Sequence, residues 1–352
     1  MKMINLKFIL ALVLLVVSSN ASMINSGEMT VNTTALLVFG DSTVDSGNNN
    51  WLITSSKANF SPYGQNFFGH HPSGRFSNGR LATDFIMEAL GISNNIPAFL
   101  DPSLTPEQLR HGVSFASASS GYDEMTASFS NVLSFSKQLQ YLMHYKIHLG
   151  NLIGKKKAEE TIRNAIFVVS AGTNDFIANY YLELNRSTQF TVPQYENYLI
   201  KSMSKYIKTM HRLGGSRFAI VGTPPMGCLP VVRALISTDG QCFDKYNNVA
   251  KSFNSKIVAQ VSTLEKLLQV RMVYLDIYHP LFEAIHNPIK FGFKETSKGC
   301  VGSGTMEAGE AAKGMKTCKD PAKYVFWDAV HPTERMYKII ADEAMRDIVV
   351  KL

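Results

Sequence analysis

Short, unbroken apolar runs alternate along the chain with longer stretches of helical spacing. Five runs stand out: ALLVFG (35–40), GVSFA (112–116), AIFVVS (165–170), RFAIVG (217–222) and RMVYLD (271–276). Continuous apolar runs of this length suit strands buried on both faces of a parallel sheet. Between them the period changes. Residues 131–149 place Leu139, Leu142, Met143 and Ile147 at helical spacing, while 191–213 opens on Thr191 and Pro193 as start signals and stops at Gly214-Gly215. Strands alternating with helices predict an α/β chain, with a doubly wound parallel sheet of about five strands covered on both sides. No internal repeat or low-complexity linker interrupts the pattern, so one domain is expected over residues 22–352.

The amino terminus has a different pattern. Lys2 and Lys7 precede an apolar run from Phe8 to Val17, and Ser19 and Ala21 follow at the spacing of a cleavage site. Residues 1–21 are therefore expected to be a secretory signal peptide. Ten apolar residues fall well short of the roughly 20 that span a bilayer, so the mature chain should be soluble, with no integral membrane span. Secretion changes how the four cysteines are interpreted: an even count in an oxidising compartment favours disulfides over metal. Of the three possible pairings, the two local ones, Cys228 with Cys242 and Cys300 with Cys318, are favoured. No CxxC or suitably spaced His points to zinc. Sequons begin at Asn32, Asn59 and Asn185, the pattern of a glycoprotein if they lie on the surface. The net charge of +7 becomes +5 without Lys2 and Lys7, with KKK at 155–157 as the densest run. So modest and scattered a surplus fits a solvated face and gives no reason to expect nucleic-acid binding.

In a doubly wound sheet, ligands sit beyond the carboxyl ends of the strands. There the first run leads into GDSTVDSG, the second into SASSGYD, the third into AGTNDF, the fourth into TPPMGC and the fifth into IYHP. Asp41, Ser42, Asp45 and Ser46 thus cluster after one strand, and Thr173, Asn174 and Asp175 after another. Asp-Ser occurs twice in FGDSTVDSGNNN (39–50), and the chemistry must be assigned to one of the two. The chain has no Gly-x-Ser-x-Gly elbow. An aspartic protease needs two Asp-Thr/Ser-Gly loops, and only Asp45-Ser46-Gly47 is present. The spacing of Asp41, Asp45 and Asn48 does not fit a calcium loop.

What remains is a serine directly after a strand, and a serine needs a base held by an acid. Of nine histidines, two follow an aspartate by three residues and precede a proline: Asp276/His279 and Asp328/His331. The second pair, in a polar loop leading to the C-terminal helix, is preferred; the first is more simply a strand end and a helix cap. His70 and His71 would hold a metal only with a third ligand. The aromatic segment NFSPYGQNFFGHHPSGRF (59–76) could line an acyl pocket, although such loops more often pack on the surface they cross.

The order FGDS…GTND…DAVHP resembles the plant GDSL esterase/lipases, also called SGNH hydrolases. Blocks stand at 39–49, 112–121, 172–175 and 328–332, with PYG…GRFSNGR at 62–80 and PPMGC at 224–228. The resemblance implies the three-layer α/β/α, flavodoxin-like SGNH hydrolase fold. It also implies a secreted, extracellular esterase or lipase, in the cell wall or apoplast if from a plant, acting on small-molecule or lipid esters without metal or organic cofactor. Ser42 would be the nucleophile, His331 the base and Asp328 its orienting acid. The oxyanion hole would comprise the Asn174 side chain and the backbone N–H groups of Ser42 and Ser119. Two positions depart from the pattern. Thr43 replaces the usual leucine, and Ser119 replaces an oxyanion-hole glycine, at a cost if that position needs a positive φ; a shifted register using Gly121 stays open. An acyltransferase building extracellular polyesters, or a binding protein of the same fold impaired by Ser119, are the alternatives.

Overall fold

Leu36–Gly40 (β1), Ile166–Ser170 (β2), Arg217–Val221 (β3) and Arg271–Leu275 (β4) pair in parallel in that order. Leu36, Ile166, Arg217 and Arg271 share one level of the register. The computed structural model describes residues 33–352; the leader at 1–21 and the sequon at Asn32 lie outside the described residues.

The second apolar run corrects the expectation of about five strands. Residues 112–116 lie along β1, through Val38 N to the Val113 carbonyl, Phe115 N to that of Val38 and Ser117 N to that of Gly40, yet they make only isolated bridges. A side chain takes the donor that would continue the ladder toward the Phe115 carbonyl: Gly40 N donates to Gln138 Oε1 at 2.9 Å. On the opposite edge of the segment the Asn48 amide donates to the carbonyls of Ser114 and Ala116, both at 2.8 Å. The segment still lies beside β1, so the five apolar runs, counted in chain order, lie across the sheet as 2-1-3-4-5, the flavodoxin-like order.

Alternate side chains point to opposite faces of each strand, and the two faces differ in bulk. Phe39, Phe167 and Phe218 stack on one face, and Phe115 links them to Tyr145. On the other face stand Val38, Val168, Ala219 and Val221. Among the described residues, six helices cover the two faces: Ala82–Ala89 (α1), Phe135–Ile153 (α2), Val192–Arg212 (α3), Asp244–Leu268 (α4), Tyr278–His286 (α5) and Glu334–Lys351 (α6). The phenylalanine face carries α2, α3 and α4, and the smaller-residue face carries α1, α5 and α6.

Two helices show how far spacing predicts orientation. In α2 the buried stripe runs through Phe135, Leu139, Leu142, Tyr145 and Leu149, and Met143 and Ile147 point to solvent at 50% and 60% exposure. Met143 lies about 100° around the helix from Leu142, and the stripe had already been claimed by the aromatic rings. In α3 the Gln194 side chain accepts from Thr191 N at 2.8 Å, and Tyr195, Met203, Tyr206 and Met210 are buried, as core contacts should be.

A small second sheet joins Glu295–Gly299 (β5) to Tyr324–Phe326 (β6). The disulfides are the two local ones, Cys228–Cys242 and Cys300–Cys318, the latter beside this sheet. No helix among the described residues is long and apolar enough to cross a membrane.

Candidate active site

β1 delivers Ser42 through a turn that depends on Gly40. Its φ is 143°, and a Cβ there would lie 1.9 Å from the Ser170 carbonyl oxygen, so only glycine lets the chain pass β2 this closely. Asp41 then folds the turn: its carboxylate accepts from Thr43 N at 3.0 Å and Thr43 Oγ1 at 2.7 Å. Thr43 Oγ1 also lies 2.9 Å from Ser170 Oγ. The threonine in place of the usual leucine thus ties the turn to β2 with a hydroxyl that leucine lacks. Burial pushes the Asp41 carboxyl above its ordinary value, against the hydrogen bonds of Thr43.

β6 delivers the histidine. After Phe326 the chain turns tightly, with Trp327 N donating to the His331 carbonyl at 2.7 Å, and Asp328 folds the turn inward. Its Oδ1 accepts from Val330 N and His331 N at 2.8 and 2.7 Å. Both carboxylate oxygens face His331 Nδ1, at 2.9 and 2.8 Å, and His331 Nε2 lies 2.8 Å from Ser42 Oγ. Asp328 is fully buried, and Ser42 and His331 nearly so. The structure therefore brings Ser42, His331 and Asp328 into one hydrogen-bonded chain across 289 residues of sequence.

The aromatic segment 59–76 buttresses this chain. The Tyr63 hydroxyl donates to Asp328 Oδ2 and accepts from Gly309 N, both at 2.7 Å, and the Phe76 ring centre lies 4.8 Å from that of His331. Tyr63 is the site residue that sequence reasoning missed. It stands 265 positions from Asp328, and the PYG stretch at 62–64 is the sole trace of it in the sequence. Burial, then the Asp328 charge, pushes its hydroxyl far above the usual tyrosine value, so Tyr63 remains a donor.

Asn174 begins the short helical segment after β2, and its side-chain amide donates to the Ser120 carbonyl at 3.0 Å. Ser120 Oγ in turn donates to the Gly40 carbonyl, joining loop 117–121 to the start of the serine turn. Ser119 has φ 68°, a left-handed conformation, and its hydroxyl pairs with that of Ser56 at 2.8 Å. Gly121 serves a different need: a Cβ there would lie 2.2 Å from Asp175 Oδ1.

Two buried carboxyls clamp this loop from either side. Asp45 accepts from Gly47 N, Asn48 N and Ala118 N. Asp175 accepts from Tyr122 N, Asp123 N and Thr126 Oγ1. Burial pushes Asp45 up to about 6 against its backbone donors. Asp175 reaches about 7, through burial and the nearby Asp123 charge and against the Thr126 hydroxyl. Both values exceed the ordinary 3.8, so the native state holds protons that the unfolded chain releases. Their stabilising contribution is complete below pH 3.8 and is lost as pH rises through 6 to 7. We expect Asp175→Asn to flatten the fall in melting temperature between pH 5 and 8; an unchanged slope in a pH series of thermal melts would contradict the assignment.

The other candidates lie apart from this constellation. Asp276 caps α5 by accepting from Tyr278 N and His279 N, and it also meets His279 Nδ1; that imidazole is largely exposed. His70 and His71 are exposed, as are Asn59 and the lysines at 155–157, whereas Asn185 is half-buried. His70 Nδ1 meets the Gln65 carbonyl.

Residues 36–344 match the GDSL-like lipase/acylhydrolase family. A GDSL esterase/lipase of Arabidopsis thaliana is 52% identical over 319 residues, covering 90% of this chain and 88% of the relative. A second from the same plant is 42% identical over 88% of this chain and 90% of its own length. The Arabidopsis GDSL esterase/lipase APG is 40% identical, over 87% of this chain and 88% of the relative. Matched over nearly its whole described length, the chain belongs to the GDSL-like lipase/acylhydrolase family.

Proposed function

We propose that this ester-bond hydrolase is a secreted carboxylesterase or lipase, with one catalytic domain over residues 22–352, that cleaves acyl esters through Ser42, His331, Asp328 and an acyl-enzyme. The supporting observation is the hydrogen-bonded chain from Ser42 Oγ to His331 Nε2 and from His331 Nδ1 to Asp328, at 2.8 Å for each shortest contact. A serine hydroxyl becomes a competent nucleophile when a neighbouring imidazole takes its proton and a carboxylate fixes the tautomer of that imidazole.

Ser42 Oγ attacks the ester carbonyl while His331 Nε2 accepts the proton. The Asn174 side-chain N–H and the backbone N–H groups of Ser42 and Ser119 stabilise the oxyanion. His331 then protonates the departing alcohol and next activates the water that releases the acid. The serine at 119 keeps its backbone donor. Its left-handed φ costs about 1–2 kcal/mol, offset in part by the bond to Ser56, worth about 1 kcal/mol. Secretion rests on the leader, on disulfides that suit an oxidising compartment and on the exposed sequon at Asn59.

A fluorophosphonate is expected to label the purified protein stoichiometrically, with mass spectrometry placing the adduct on Ser42. An adduct on Ser46, or none, would overturn the assignment.

A further inference from the structure

Beside the proposed catalytic residues, an apolar cavity of about 70 Å³ runs down between the sheet and its α1/α6 cover. It lies on the sheet face with the smaller residues. Val168, Val221 and Leu275 form its floor where the opposite face carries phenylalanines. Ile86 of α1 and Ile340 and Ala344 of α6 form its roof. The depth is directional. The partly exposed lining residues include Thr43, Thr173, Ile277 and Val330, at the carboxyl end of the sheet, whereas Val168, Ile86 and Ile340 are buried.

The His331 ring is part of the wall at the mouth, and so is Thr43, the neighbour of Ser42. An acyl carbon on Ser42 Oγ would be one bond from an atom 2.8 Å from His331 Nε2, so its chain can enter without crossing another element. The Thr43 and Ser170 hydroxyls at the mouth already bond to each other. An apolar chain therefore leaves neither of them without a partner.

Resting on the hydrolase reading, the geometry points to this cavity as the acyl subsite, and to short, unbranched aliphatic acyl groups as the substrate class. An apolar cavity of about 150 Å³ holds benzene; about half that volume holds roughly three carbons, with the carbonyl outside at the mouth. A butyryl group fills it, whereas a benzoyl or cinnamoyl group does not fit. Each methylene that enters should raise kcat/KM about fourfold until the cavity is full.

The test is the kcat/KM series of wild-type enzyme on p-nitrophenyl acetate, butyrate, octanoate and benzoate, repeated in Ile86→Ala and Ala344→Leu. Wild type should prefer butyrate to acetate by about tenfold or more, and to benzoate by a larger factor. Ile86→Ala, which deepens the cavity, should raise the octanoate-to-acetate ratio about tenfold, and Ala344→Leu should lower the butyrate-to-acetate ratio by a similar factor. If only one variant folds, its ratio decides, alongside the wild-type series. Hydrolysis with benzoate preferred, or with ratios unmoved in a folded variant, overturns the subsite alone. Hydrolysis of no ester, acetate included, overturns the hydrolase reading and the subsite with it.

Discussion

Ser42→Ala is expected to lower kcat on an activated ester by about 10⁵–10⁶-fold, leaving only the turnover that binding and oxyanion donors provide. The matched control is Ser46→Ala, in the second Asp-Ser of the same stretch. Ser46 Oγ is buried and has no hydrogen-bond partner among the described residues, so its removal leaves no orphaned group and should hold kcat within about threefold. The two variants differ by one hydroxyl each and lie four positions apart, so a shared folding defect would be visible in both. Comparable activity in Ser42→Ala and wild type, measured with purified proteins of equal melting temperature, would remove Ser42 from the mechanism.

The parts of the site that were legible in the sequence are those fixed by local chain geometry. Ser42 and Asn174 follow buried strands that announce themselves as apolar runs, and Asp328 orients His331 from three residues away, within one turn. The same local rule separated the look-alike pair, since Asp276 caps α5 with its neighbours' N–H groups and leaves His279 in solvent. What the sequence concealed depends on long-range packing. Tyr63 reaches Asp328 from a loop whose aromatic composition suggests surface packing, and no local period encodes that bond. The clamps on loop 117–121 were hidden for the same reason: Asp45 and Asp175 look like turn residues until burial and their N–H donors are seen. The second apolar run met every strand criterion, yet Gln138, 98 positions from Gly40, takes the Gly40 N–H that its ladder needed. The acyl cavity follows from an asymmetry between sheet faces, visible only when register assigns Phe39, Phe167 and Phe218 to one side.

Asp328→Asn should be the next most damaging single change, lowering kcat by about 10⁴-fold. The amide can accept at only one oxygen, and Asp328 serves four donors: Val330 N, His331 N, His331 Nδ1 and the Tyr63 hydroxyl. Whichever way the amide turns, its NH₂ either confronts the N–H donors of the turn or faces Tyr63 and the imidazole, and the tautomer that leaves Nε2 free as a base is lost. Tyr63→Phe separates orientation from charge. It leaves Asp328 bonded to His331, removes one charge-assisted bond worth about 1.5–3 kcal/mol, and strands Gly309 N. Its expected effect is a melting temperature lower by several degrees and a roughly tenfold fall in kcat, with KM unchanged because Tyr63 does not line the cavity. Kinetics of the two variants on one ester, read beside their thermal melts, check both. If Tyr63→Phe costs as much activity as Asp328→Asn at equal stability, then Tyr63 touches the reacting atoms, and the carboxylate does less to hold the imidazole than its contacts imply.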